Sequence, residues 1–79
     1  MLIQYFYGII ALQREADKMR FKKAREAKGL SQKYVALTLG VKPPNISRWE
    51  SGVNYPTVEN LIALAHLYEC SIDYLLENF

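Results

Sequence analysis

The side chains with a chemistry to offer in this 79-residue chain are its ten Lys and Arg, set against eight Asp and Glu. They are unevenly placed. Residues 19 to 52 carry Arg20, Lys22, Lys23, Arg25, Lys28, Lys33, Lys42 and Arg48 against Glu26 and Glu50, a charge of +6. Residues 53 to 79 have no Lys or Arg and carry −4. The first stretch suits a polyanion, and the acidic remainder suits solvent or a partner. A solvated basic helix face has the same composition, so charge alone leaves both readings standing. Covalent chemistry finds little to use. Cys70 and His66 are the single cysteine and histidine, which rules out an internal disulfide or a Cys/His metal cluster. Neither a glycine-rich phosphate loop nor a Ser/His/Asp set is present, so the parts for nucleotide or triad chemistry are missing. The expectation is a binding protein without cofactor, metal or enzymatic activity, at home in a reducing cytoplasm.

The elements that must position these charges are marked out by helix signals. An apolar share of 51%, with six Tyr, three Phe and one Trp, is enough for one compact domain. A domain this small buries a modest fraction of its surface and often relies on a second subunit. Phe21 and Ala24 at helical spacing run up to Gly29, which predicts a first helix ending there with Leu30 folding back. Ser31 then caps a helix with Val35, Ala36 and Leu39 on one stripe, which stops at Gly40. A third helix starts at Pro43 or Pro44, where a missing N–H and fixed φ fit the first turn, and ends at Gly52. Thr57 caps a fourth with Leu61, Leu64, Ala65 and Tyr68 inward, and Ser71 caps a fifth with Ile72, Leu75 and Leu76 inward. Outside the first ten residues, no segment shows the alternation or β-branched runs of a sheet.

Helices two and three are separated by a turn of only about three residues containing glycine, the arrangement of a helix-turn-helix spanning 32–51. Its packing needs are visible in Ala36, small at the helix crossing, in Gly40 at the turn, and in Val35, Ile46 and Trp49 as apolar contacts. Trp49 has the chemistry of a base-stacking platform, but its spacing from Ile46 assigns it to the core. His66 on the outer side of helix four and Cys70 near its end receive no role.

A resemblance then adds to these readings. Leu30-Ser31-Gln32, Val35-Ala36, Leu39-Gly40-Val41, Ile46-Ser47-Arg48-Trp49-Glu50-Ser51-Gly52, Pro56, Asn60-Leu61, Leu64-Ala65 and Ser71-Ile72-Asp73-Tyr74-Leu75-Leu76 closely resemble the lambda repressor and Cro type of helix-turn-helix domain, the Xre family. The match runs from 21 to 76. It implies an all-α, compact five-helix domain that binds double-stranded DNA, with helix three in the major groove and the start of helix two on the backbone. Carried over residue by residue, it makes Gln32 a phosphate clamp at the helix-two N-terminus. Pro43, Pro44, Asn45 and Arg48 fall on base-reading positions, with Lys42 just before them, and Lys33, Ser47, Ser51 and Asn54 complete the contact set. The resemblance also implies that Arg25 pairs with Glu50, a structural brace alongside Ala36, Gly40, Ile46 and Trp49.

This chain departs from the family in two places. Its paired prolines cannot hydrogen-bond a base through a side chain, so that readout falls to Asn45 and Arg48, suited to adenine and guanine respectively. The loop Val53-Asn54-Tyr55 has no cation for the phosphates, leaving Asn54 and the backbone N–H groups near Ser51 and Gly52. A monomer should therefore bind weakly, and a homodimer on an inverted repeat, acting as a repressor, is expected. The segment 1–18, almost wholly apolar from Met1 to Leu12, is too short for a membrane span and lacks the basic start of a signal peptide. Three readings remain for it: a dimerisation arm, placed first; an extra helix on its own domain; or a translated leader before a start at Met19. The domain proper is read as 19–79. The competing functional reading is an antitoxin-like interaction module that autoregulates through DNA. The lack of a tail after Phe79 argues against that, and against a small-molecule effector domain.

Overall fold

A computed structural model describes residues 20–76. Among them all regular structure is helical: α1 at 20–27, α2 at Gln32–Leu39, α3 at Pro43–Ser51, α4 at Val58–Tyr68 and α5 at Ile72–Leu76. The apolar segment 1–18, with its three readings, lies outside the described residues. Among the described residues no helix is long and apolar enough to cross a membrane.

Each boundary has a local cause in the sequence. Ser31, Thr57 and Ser71 each accept a hydrogen bond from the backbone N–H three residues on, at 3.0, 3.2 and 2.9 Å, satisfying a donor that the helix start leaves orphaned. At the far end of α1, Gly29 N–H donates to the Glu26 carbonyl and Leu30 N–H to that of Arg25, the two bonds of a Schellman cap. α2 closes in the same way at Gly40, whose φ of 74° lies in the left-handed region, and Val41 N–H donates back to the Ala36 carbonyl at 3.0 Å. A Cβ at Gly40 would meet nothing within 4 Å, so the demand for glycine comes from the backbone dihedral alone.

α4 breaks the glycine pattern. It ends on Glu69 at φ 54°, with Cys70 N–H donating to the Ala65 carbonyl. A non-glycine residue there carries a steric penalty of about 1–2 kcal/mol. Glu69 also pairs with Lys28 at 2.9 Å, but the carboxylate is 72% exposed, and such surface pairs return little.

The five helices meet on one centre. Phe21, Val35, Ile46, Leu64 and Leu75, one from each helix, are the large side chains most completely removed from solvent, surrounded by Ala24, Ala36, Trp49, Ala65 and Tyr68. At about 1.5–3 kcal/mol for each large apolar side chain, the five contribute on the order of 10 kcal/mol gross. Since each helix supplies one of them, none can detach without opening the core. α1 and α5 are also tied at the rim, where Arg20 donates to the Tyr74 carbonyl at 2.9 Å and stands 4.9 Å over its ring. His66 is exposed and Cys70 half-buried, its thiol pKa pushed up by burial.

Candidate nucleic-acid interface

α3 carries the residues with most to offer a ligand, and its periodicity divides them cleanly. Ile46, Trp49 and Glu50 are buried, which by helical spacing turns Pro44, Ser47, Arg48 and Ser51 outward, all four exposed. Asn45 is half-buried at the edge of that face, and Lys42 and Pro43 are exposed at its start. Trp49, only 6% exposed, belongs to the core, as its spacing predicts. The side chains of Lys33, Lys42, Asn45, Ser47 and Arg48 have no hydrogen-bond or ionic partner among the described residues. Ser51 differs, since its hydroxyl donates to the Arg48 carbonyl at 3.1 Å and its hydrogen is already engaged.

The prolines shape the electrostatics of this helix end. They occupy its first two positions, so two of the N–H groups that a helix start ordinarily turns outward do not exist. The Lys42 cap has no side-chain hydrogen bond, and Asn45 N–H turns back to the Lys42 carbonyl at 2.9 Å. An anion therefore finds few backbone donors at the start of α3. The start of α2 is better supplied: Ser31 engages Tyr34 N–H, and the N–H groups of Gln32 and Lys33 have no partner among the described residues.

A buried ion pair locks the other face of α3 to α1. Glu50 takes both Arg25 Nε at 2.5 Å and Arg25 Nη2 at 3.1 Å, a two-pronged contact, while Arg25 Nη1 donates to the Leu30 carbonyl at 2.8 Å. Hydrogen bonding to Glu50 raises the already high pKa of Arg25 against the opposing effect of burial. Gln32 joins the cluster, its Nε2 donating to Glu50 Oε1 at 2.9 Å. That bond sets the N-terminus of α2 beside the last turn of α3.

One expectation is corrected by the backbone. The N–H groups near Ser51 and Gly52 do not wait for phosphate, because Gly52 donates to the Trp49 carbonyl at 3.2 Å and Val53 to that of Arg48 at 3.0 Å, closing the cap of α3. In that loop the Asn54 side chain is exposed.

A family model described as helix-turn-helix matches residues 21–75, all five helices. The chain belongs to the lambda repressor/Cro-type helix-turn-helix family. It is 39% identical over 57 residues, 72% of its length, to the HTH-type transcriptional regulator ImmR of Bacillus subtilis. It is 36% identical over 58 residues both to repressor protein C2 of Salmonella phage P22 and to the cryptic phage CTXphi transcriptional repressor RstR of Vibrio cholerae, 73% of this chain in each case. The matches span 45%, 27% and 52% of those relatives, so the chain corresponds to about half or less of their length. No solved structure matches significantly.

Within this helix-turn-helix domain the sequence by itself puts Lys42, Pro43, Pro44, Asn45, Ser47 and Arg48 on or at the start of α3, and the resemblance pairs Glu50 of that same helix with Arg25 of α1. Neither shows that Gln32 shares the Glu50 carboxylate. One signal was present: a carboxylate in the last turn of a helix opposes the helix dipole, so Glu50 requires local partners.

Proposed function

We propose that this chain is a sequence-specific double-stranded DNA-binding regulator of transcription, a repressor acting as a homodimer on an inverted repeat. The observation that carries this reading is the division of α3. One face is committed to the core and the Arg25 brace, and the other presents the side chains of Asn45, Ser47 and Arg48, which have no partner among the described residues. A helix so divided fits a major groove, with the backbone N–H groups of Gln32 and Lys33 and the Gln32 amide on the flanking phosphates. Lys33 and Lys42 add charge, Asn54 reaches the backbone, and Pro43 and Pro44 contact thymine methyls or sugar. Ser51 joins by turning its hydroxyl away from the Arg48 carbonyl. Asn45 then reads adenine N6/N7 and Arg48 guanine O6/N7. The names of the relatives, an HTH-type regulator and two phage repressors, support the same function. It calls for no enzymatic activity and no small-molecule effector, and it goes with a cytoplasmic location, where the DNA is.

Dimerisation follows from the modest charge of one domain and from the domain division, 19–79 with an apolar arm at 1–18. Selection from random duplexes with the full chain tests the reading. An inverted repeat with half-site centres about 34 Å apart is expected. Arg48→Ala relaxes the guanine preference, worth about 1–3 kcal/mol, and leaves the rest of the motif. A uniform loss across all sequences would remove Arg48 from base reading, and no enriched motif at moderate salt would favour a protein-interaction module. Sedimentation of the full chain beside one starting at Met19 tests the arm, which a monomer in both cases would eliminate.

A further inference from the structure

We infer that Glu50, besides bracing Arg25, is a positioning residue for the DNA backbone contact, because it holds the Gln32 amide in the one orientation that can meet a phosphate. The inference rests on the DNA-binding reading above. A glutamine amide has a donating and an accepting end of nearly equal size, and a free one turns either outward. An accepting oxygen turned toward a phosphate would repel it. Glu50 removes the ambiguity. As a carboxylate it only accepts, so the bond from Gln32 at 2.9 Å must come from Nε2, and the second hydrogen on that nitrogen is left for an outside acceptor.

Three features suit Glu50 to this task. Its side chain is 7% exposed and held by Arg25 through both oxygens, so it forms a fixed anchor. The Arg25 charge neutralises it, so Gln32 is gripped without an uncompensated anion beside the phosphate. Gln32 itself is half-buried at the first position of α2, where its own N–H and that of Lys33 have no partner among the described residues, and its bond to Glu50 orders its three rotors before DNA arrives. α3 thereby contributes to the backbone contact from its buried face while reading bases with its exposed one.

The test must separate positioning from bracing. Two full-length double variants both replace the buried ion pair, Arg25→Met with Glu50→Gln and Arg25→Met with Glu50→Met. Only the first keeps an acceptor for Gln32. Each is titrated on a short duplex of arbitrary sequence at low salt, with and without Gln32→Ala, and each is melted. Given Gln32, the Glu50→Gln version should bind about fivefold more tightly, the worth of one ordered hydrogen bond. With Gln32→Ala the two should bind alike. Equal affinities with Gln32 present, or a difference that survives Gln32→Ala, would overturn the positioning role. If the wild-type chain binds no duplex at all, the DNA-binding reading itself fails and takes this inference with it. Should either double variant not fold, the wild type carries the test through the side-chain amide NMR signals of Gln32. Slow exchange in the free protein and a shift on adding duplex, together with the backbone signals of Gln32 and Lys33, are expected; random-coil positions that do not move refute it.

Discussion

Replacing Arg25 by alanine is the perturbation that most directly probes how this domain holds together. The guanidinium and the Glu50 carboxylate are 10% and 7% exposed, so each has given up most of its hydration and relies on the other. Arg25→Ala leaves the carboxylate buried with Gln32 as its remaining donor, and the Leu30 carbonyl loses a 2.8 Å bond as well. Breaking a buried pair from one side costs about 3–5 kcal/mol. A domain of roughly 60 residues has about 3–9 kcal/mol in total, so the variant should sit near the edge of unfolding at room temperature. For a domain of this size the midpoint falls about 4–8 °C per kcal/mol, so thermal melts followed by circular dichroism should move by about 15 °C or more. Arg25→Met with Glu50→Leu should recover most of the loss, because replacing both charges removes the desolvation penalty along with the attraction. A shift under about 5 °C for Arg25→Ala, less than about 1 kcal/mol, would show that the pair is hydrated in solution and braces nothing. A double variant as unstable as the single one would refute the desolvation argument itself.

Gly40→Ala should cost about 1–2 kcal/mol through the left-handed dihedral alone, since a Cβ there meets nothing, and Gly40→Asn should cost less. Urea midpoints check this, and a loss of 4 kcal/mol or more, far beyond the roughly 1–2 of the dihedral, would mean that side-chain packing matters at the turn after all. Thr57→Ala removes the acceptor of Asn60 N–H and should lower stability by about 1 kcal/mol, readable in the same titration, whereas an unchanged midpoint would put solvent in its place. Burial, with the nearby Glu50 charge, raises the Tyr68 phenol above the ordinary value of 10.0. The raised folded-state pKa makes stability full below about pH 10 and lost as pH rises above it. Melts between pH 8 and about 11 should therefore show a fall that Tyr68→Phe reduces, and identical slopes in the two proteins would contradict the burial account.

The element plan was legible because its signals are local. Ser31, Thr57 and Ser71 cap, Gly29, Gly40 and Gly52 stop, and the apolar stripes show which side turns inward. The end of α4 was not legible. Glu69 takes the left-handed position against its own preference, since the packing of α4 and α5 dictates where the chain must turn. In the site, the outward residues of α3 could be listed from the resemblance, but the engagement of the Gly52 and Val53 N–H groups and of the Ser51 hydroxyl follows from cap geometry.

The helix-turn-helix, its short turn at Gly40 and the division of charge between the two parts of the chain are properties of the sequence by itself, since periodicity, caps and composition need no neighbours distant in the chain. The convergence of one large side chain from each helix on a single centre, and the capture of Gln32 by Glu50, were decided by the tertiary structure. The reason is physical. Gln32 and Glu50 are 18 residues apart, and their bond exists only because folding brings the start of α2 against the end of α3 and removes both from water.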